Sequence, residues 1–383
     1  MKVTRVQPIL CHAGIRNWVF AKVETDEGLV GYGEGTDWPG ERAIATAIEE
    51  LASYVEGENP LDTEFLWNKM YSAMYAGGKT INCAISAIDN ALWDIAGKAA
   101  GVPVYVLLGG KCRDRIRLYC HCDAFEEKDS VAAVARRSEE IGQQGFTAVK
   151  THPSTAGTWR WRAVRLDRHM DSQTIRNTGA KIEAIRKALG EDVGIAIDLN
   201  NLLDVPSAIA LARHLEPFDL MFIEDPVRQD EGPRDILRVR QSTKCPIATG
   251  ENLYNIWGFR QYLEMGAIDV LTLDLCHCGG MTQAVKIAAL ASAYHTPIAP
   301  HNPNGPLATA ISAHFCASIP NFRILETWHP DVPWLEEVVT HPPQIANGHL
   351  ELPHGPGWGC DLVESRIREH PYERGHVFNA WLS

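Results

Sequence analysis

The sequence predicts an α/β protein built on a (β/α)8 barrel and preceded by a small α+β unit. Two observations carry this. From Ile116 onward, eight short β-branched or apolar runs alternate with seven runs of helical spacing, a texture that fits a closed barrel better than an open sheet. The last six of the eight runs are each followed by one ionisable residue: Asp198, Glu224, Glu251, Asp274, His301 and Glu326. The steps between them are 26, 27, 23, 27 and 25 residues, about one strand plus one helix each time. In a barrel these strand ends share one face, the face on which active sites sit.

Taken in order, Asn17 to Glu24 alternates apolar and polar positions, Thr25-Asp26-Glu27-Gly28 is a turn, and Leu29 to Gly33 returns as a second strand, giving a hairpin. The run Gly31-Tyr32-Gly33-Glu34-Gly35 follows a hairpin and lacks the third glycine of a dinucleotide fingerprint, so it is not read as one. Glu41 to Val55, Leu61 to Tyr75 and Ile81 to Ala100 have helical apolar spacing, and Gly101 and Pro103 stop the third. The barrel strands are expected at 116–120, 146–150, 194–198, 220–224, 246–249, 269–273, 297–300 and 322–325. Helices are expected between them at 130–142, 175–189, 206–216, 233–240, 256–264, 280–293 and 306–317. The expected division is 1–115 for the first unit, 116–350 for the barrel, and 351–383 for a Gly- and Pro-rich tail returning to the first unit.

Composition narrows the function. The 383 residues carry 36 basic and 48 acidic side chains, a net charge of −12, which argues against nucleic acid as a partner. No stretch approaches ~18 uncharged apolar residues, so no membrane helix is expected. The first residues lack a long apolar run, so the expected location is the cytoplasm. The ten cysteines include no C-x-x-C pair and are expected to be reduced. Two C-x-C pairs flank His121 and His277. They are read as small buried side chains at strand ends rather than as a soft metal site.

The residues at the strand ends define a chemistry. Asp198, Glu224 and Glu251 are consecutive and all acidic; if they converge, a divalent cation relieves their mutual repulsion. An all-oxygen donor set favours Mg²⁺ over Zn²⁺. Asp274 and His301 fall on adjacent strands, where the carboxylate fixes the imidazole tautomer and leaves the other nitrogen as a base. Lys150 and His152, two apart on the second strand, can both face inward. Bases on two sides of a metal suit abstraction of a proton next to a carboxylate, with the metal and Lys150 stabilising the enediolate.

These residues stand within runs that resemble a known family. The runs are Ala87-Ile88-Asp89-Asn90-Ala91-Leu92-Trp93-Asp94-Ile95-Ala96-Gly97-Lys98, Val104 to Gly110, Phe222-Ile223-Glu224-Asp225-Pro226, Ala248-Thr249-Gly250-Glu251, Asp274 to Gly280, Pro300 to Pro306, Leu325-Glu326 and Gly355-Pro356-Gly357-Trp358-Gly359. Together, and in this order, they resemble the mandelate racemase branch of the enolase superfamily, most closely its acid-sugar dehydratases of the D-galactonate dehydratase kind. The resemblance spans essentially the whole chain. It implies an α+β capping domain over a modified (β/α)8 TIM barrel and metal ligands at Asp198, Glu224 and Glu251. It also implies a His301–Asp274 dyad, a substrate-carboxylate partner at Lys150, an electrophilic hydrogen-bond donor at Glu326 and homo-oligomeric assembly.

Two positions depart from the family pattern. Many relatives carry Lys-x-Lys on the second strand, whereas here it is Lys150-Thr151-His152. Galactonate dehydratases place an acid histidine two residues after the first metal ligand, where this chain has Asn200, a candidate substrate contact. His152 could therefore serve as acid or base, or stand behind the residues that touch substrate, with His301 performing both proton transfers. The segment 153–174 carries Arg160, Arg162, Arg165 and Arg168 with Trp159 and Trp161, and is read either as a cationic lid or as a subunit-contact loop. The expected reaction is dehydration of an aldonate or aldarate, a small anionic substrate, to a 2-keto-3-deoxy acid. Epimerisation or cycloisomerisation through the same enolate, and a non-catalytic metal-binding barrel, are the alternatives.

Overall fold

A computed structural model describes residues 1–75, 77–124, 130–154, 168–229, 231–329 and 331–374. The first unit is a three-stranded antiparallel sheet, β1 (Val3–Ala13), β2 (Arg16–Thr25) and β3 (Val30–Glu34), against helices α1 (Glu41–Val55), α2 (Thr63–Ala73) and α3 (Lys79–Ala100). β1 was not expected from the pattern. Its alternation is interrupted by a register shift between Val3 and Arg5, and four successive positions, Gln7 to Leu10, are only partly buried. The glycine run on β3 has a packing cause. A Cβ on Gly31 would overlap the carbonyl oxygen of Ala91, one on Gly33 that of Ala87, and one on Gly35 that of Cys83. The strand thus lies directly on the backbone of α3, which only glycine permits.

The short helix α4 (Val104–Leu107) leads into the barrel. Its strands are β4 (Arg115–His121), β5 (Ala148–Thr151), β6 (Gly194–Asp198), β7 (Phe222–Glu224), β8 (Ile247–Thr249) and β9 (Val270–Leu271), each parallel to the next. Between them run α5 (Val131–Gln143), α6 (Ser172–Leu189), α7 (Val205–Leu215), α8 (Pro233–Arg240) and α9 (Asn255–Glu264). Beyond β9 come α10 (Gly280–Ala293) and α11 (Pro306–Ser318), with single-residue bridges Leu271–Ile298 and Ile298–Phe322. β10 (Leu325–Thr327) then pairs parallel with β4. Eight strand positions therefore close, although the seventh is the single bridging residue Ile298 rather than a full strand. The barrel is modified after β10: the chain forms the antiparallel pair β11 (Ile345–Ala346) and β12 (His349–Glu351), which adds to β4, and then the short helix α12 (Glu364–Ile367). Among the described residues, no helix is long and apolar enough to cross a membrane.

The motif on α3 explains how the first unit grips the barrel. Asp89 accepts from Thr282 N (2.9 Å) and Thr282 Oγ1 (2.6 Å), and Asn90 Oδ1 accepts from Met281 N (3.0 Å). The unsatisfied amides at the start of α10 are thus capped from another element. Asp94 accepts from Tyr32 N and Trp358 N, each at 3.0 Å, and from Lys98 Nζ at 2.7 Å. It thereby anchors the returning tail, as the buried Trp358 does by donating Nε1–H to Tyr32 O. Glu34 likewise accepts from Gly305 N (2.7 Å) and Ala308 N (2.8 Å) at the start of α11. Burial pushes the carboxyls of Asp89 and Glu34 up to about 7 each, because the helix ends supply dipoles rather than a countercharge.

Candidate active site

The six ionisable residues in phase all reach the same end of the barrel, at or just after their strands. Asp198 closes β6 and Glu224 closes β7, while Glu251 follows β8 across Gly250, whose φ of 147° few side chains would tolerate. The turn after β6 is held in a left-handed conformation, with φ of 46° at Asn200 and 61° at Asn201, and Asp225 has φ of 43°. Asn200 donates from its backbone N (2.8 Å) and Nδ2 (2.9 Å) to the two oxygens of Asp198, fixing that carboxylate. Asn200 is therefore seen here as a holder of Asp198. Asp225 turns the other way and accepts from Asn201, Gln229 and Thr249, which lock the backs of these loops.

Lys150 is completely buried and sits among carboxylates. Its Nζ lies 2.7 Å from Glu326 Oε1, 3.0 Å from Glu224 Oε2 and 3.5 Å from Asp198 Oδ2. Those anions outweigh burial and hold the ammonium well above the usual lysine range. Glu326 also accepts from Asn302 N (3.1 Å) and meets His121 Nε2 at 2.6 Å. Although burial alone would raise its carboxyl, Lys150 and the neighbouring imidazoles hold it well below the usual range. In this geometry Glu326 accepts from Lys150 and Asn302, whereas the resemblance implies a donor role toward substrate.

His301 Nδ1 lies 2.7 Å from Asp274 Oδ2, which also accepts from Asn304 Nδ2 at 2.8 Å. The other imidazole nitrogen, Nε2, is 3.2 Å from Glu251 Oε2. Burial works against the imidazolium, but Glu251, Glu326 and Asp274 outweigh it and lift His301 to about 10. A cation held by the carboxylate row would reduce that lift. On the far side of the row, His152 follows β5 directly, and its Nε2 lies 3.8 Å from Asp198 Oδ2. The two imidazoles therefore bracket the row, one against each end.

The row suits a hard divalent cation by its chemistry. Among the described residues, Glu224 Oε1 is buried without a hydrogen-bond donor, and Glu251 Oε2 faces His301 Nε2 at 3.2 Å without an aligned hydrogen bond. Glu224 is pushed up to about 8 by burial and by Asp198, Glu326 and Glu251, against the pull of Lys150. Such a set of oxygens is under-compensated as it stands. The three carboxylates are nevertheless not drawn into one tight shell. Among the described residues, the trios whose potential ligand atoms all lie within 4.8 Å are His121–Asp123–His152, Asp37–Cys83–His277 and Asp274–His277–His301.

Several residues here were not anticipated. His121 closes β4 and Asp123 follows it, and the same strand-end rule that found Asp198 would have found them had it been applied to the first strand. Lys181 comes from α6 and His277 from the turn after β9, positions no strand phase reveals. Cys276 and Cys278 lie in that turn rather than on a strand, which corrects the expectation for this pair. All four C-x-C cysteines are buried and free. Of the arginine-rich segment, Arg160, Arg162, Arg165, Trp159 and Trp161 lie outside the described residues. Arg168 faces Glu231 at 3.8 Å.

Residues 131–366 match the model of the enolase C-terminal domain-like family, and residues 5–109 match the N-terminal domain of mandelate racemase and muconate lactonizing enzyme. The chain belongs to the enolase superfamily. Within that superfamily it is 36% identical over 384 residues to the D-xylonate dehydratase of Haloferax volcanii, covering 99% of this chain and 91% of that one. It is 39% identical over 315 residues to the D-galactonate dehydratase of Xanthomonas oryzae pv. oryzae, covering 82% and 78%. Both relatives are hydro-lyases by name. Among solved structures, a Burkholderia xenovorans protein provisionally named L-alanine-DL-glutamate epimerase, bound to magnesium and fumarate, is 34% identical. It matches with a TM-score of 0.92 over 99% of each chain.

Proposed function

We propose that this enolase-superfamily member dehydrates a sugar acid, an aldonate or aldarate, to a 2-keto-3-deoxy acid with Mg²⁺ as cofactor. The observation that carries this is the pair of imidazoles bracketing the carboxylate row, one of them backed by Asp274. Support also comes from two relatives named as sugar-acid dehydratases and from a structural relative bound to magnesium. Asp198, Glu224 and Glu251 would hold the cation, which would supply Lewis-acid stabilisation of negative charge on the substrate carboxylate. Asp274 keeps the Nδ1–H of His301 engaged, so that Nε2 takes the proton α to the carboxylate. Lys150 and Asn200 stand beside the row, where Lys150 neutralises charge and Asn200 orients Asp198. Glu326 holds Lys150 and His121 in place. His152 stands on the opposite side, within reach of a leaving hydroxyl. The anionic substrate is met by local positive charge at the mouth of a protein whose net charge is −12.

The test is a screen of aldonates and aldarates in D₂O with Mg²⁺. Formation of a keto acid is the expected result. Exchange of the α-proton without loss of water would instead support epimerisation, the second reading, which the epimerase name of one structural relative favours. Absence of both reactions with every sugar acid would overturn the enolate chemistry.

A further inference from the structure

We infer that Asp123, clamped by Lys181, sets the tautomer of His152, so that the two form a second acid–base dyad facing the carboxylate row from the side opposite Asp274–His301. The geometry assigns each oxygen of Asp123 a separate task. Oδ1 accepts from three donors, Thr151 Oγ1 at 2.7 Å, Lys181 Nζ at 2.8 Å and His152 N at 3.1 Å. Oδ2 lies 2.7 Å from His152 Nδ1. With Oδ1 saturated, the carboxylate cannot rotate without losing all three. Oδ2 is an acceptor only, so Nδ1 must carry the proton. The edge turned toward Asp198 is then Nε2, which delivers or receives a proton. Lys181 also donates to His152 O at 3.2 Å, holding the backbone of the same residue. All three side chains are at most 4% exposed, so solvent does not compete for these bonds. His121 stacks on His152, with ring centroids 5.6 Å apart, and limits its rotation. The ligand atoms of the trio His121–Asp123–His152 also lie close enough together to hold a metal ion. The ammonium on Asp123 already supplies the compensating charge, which favours the dyad.

The role given to this dyad rests on the dehydratase reading. His301 removes the Cα–H, and the electron pair enters the enediolate. That pair then forms the Cα=Cβ bond as the Cβ–O bond breaks. His152 enters this step as the imidazolium, with Nδ1–H held by Asp123; it passes its Nε2 proton to the departing hydroxyl, which leaves as water, and is left as the neutral Nδ1–H tautomer, while the enol tautomerises to the keto acid. Asp123 and Lys181 are positioning residues in this step.

The discriminating substitution is Asp123→Asn. Because three donors demand an oxygen at the Oδ1 position, the amide NH₂ must occupy the Oδ2 position and donate to Nδ1, which reverses the tautomer. In the Mg²⁺-loaded enzyme, with the sugar acid that the wild type turns over best, kcat for dehydration should fall about 100-fold or more. KM should stay within about threefold, and α-proton exchange should persist. Histidine ¹⁵N spectra, assigned with His152→Gln, should show Nδ1 protonated in the wild type and unprotonated in Asp123→Asn. Retention of kcat within about threefold of wild type, or an unprotonated Nδ1 in the wild type, would overturn the inference. If Asp123→Asn does not fold, the wild-type spectrum alone decides. If no sugar acid is dehydrated, the function proposal fails while the spectra still test the dyad.

Discussion

Replacing His314 with asparagine probes how α11 is fastened to the rest of the molecule. His314 is fully buried; its Nδ1 accepts from Tyr105 N at 3.2 Å, and its Nε2 faces Trp358 O at 3.2 Å. An N–H on one side and a carbonyl on the other admit only the neutral Nε2–H form, and protonating Nδ1 would set two donors against each other. Burial, outweighing the Trp358 carbonyl, lowers the group from 6.5 to about 4. The folded protein therefore binds this proton less readily than the unfolded chain, so the stabilisation is complete above pH 6.5 and lost as pH falls through 4. The full effect of that difference is about 3 kcal/mol, and about 2 kcal/mol of it is lost between pH 7 and pH 5. Buried carboxyls that are raised, such as Glu34 and Asp89 at about 7, change stability in the opposite direction, so the wild-type profile alone is not diagnostic. The difference between proteins is diagnostic. Urea denaturation of wild type and His314→Asn at pH 7 and pH 5 should show the wild type losing about 2 kcal/mol more than the variant. Parallel losses, within about 0.5 kcal/mol, would refute the reasoning.

Three further outcomes are expected. His301→Asn should lower dehydration by about 100-fold or more while leaving Mg²⁺ affinity within about threefold by calorimetry; retained turnover would remove His301 as the base. Glu224→Gln should weaken Mg²⁺ binding at least about tenfold, since one charged oxygen ligand is lost, and unchanged affinity in the same titration would take Glu224 out of the ligand set. Gly33→Ala should destabilise the first unit by about 2 kcal/mol or more, because its Cβ has no place beside the Ala87 carbonyl. A wild-type thermal midpoint would contradict the close packing of β3 on α3.

Most of the barrel was legible because its signal is local. A strand, a turn and an amphipathic helix repeat at a nearly constant spacing, so β6 and α8 fall where the pattern places them, and Asp274 and His301 keep phase even though β9 has two residues and the next strand position one bridging residue. β1 was illegible because its mixed burial hides the alternation. The helix over Leu61 to Tyr75 proved shorter, at Thr63–Ala73, since its ends depend on packing rather than propensity.

By itself, the sequence determined the (β/α) repeat, the face on which the acidic residues and His301 gather, and the runs that mark the enolase superfamily. These follow from periodicity and from residue type, which are properties of short segments. Only the tertiary structure decided which groups touch. It put Lys150 among three carboxylates, made Glu326 an acceptor, and brought Asp123 and Lys181 from β4's end and α6 onto His152. Hydrogen bonds and ion pairs between segments act over about 3 Å, and residues 58 apart in the chain, as Asp123 and Lys181 are, come that close only when the barrel closes.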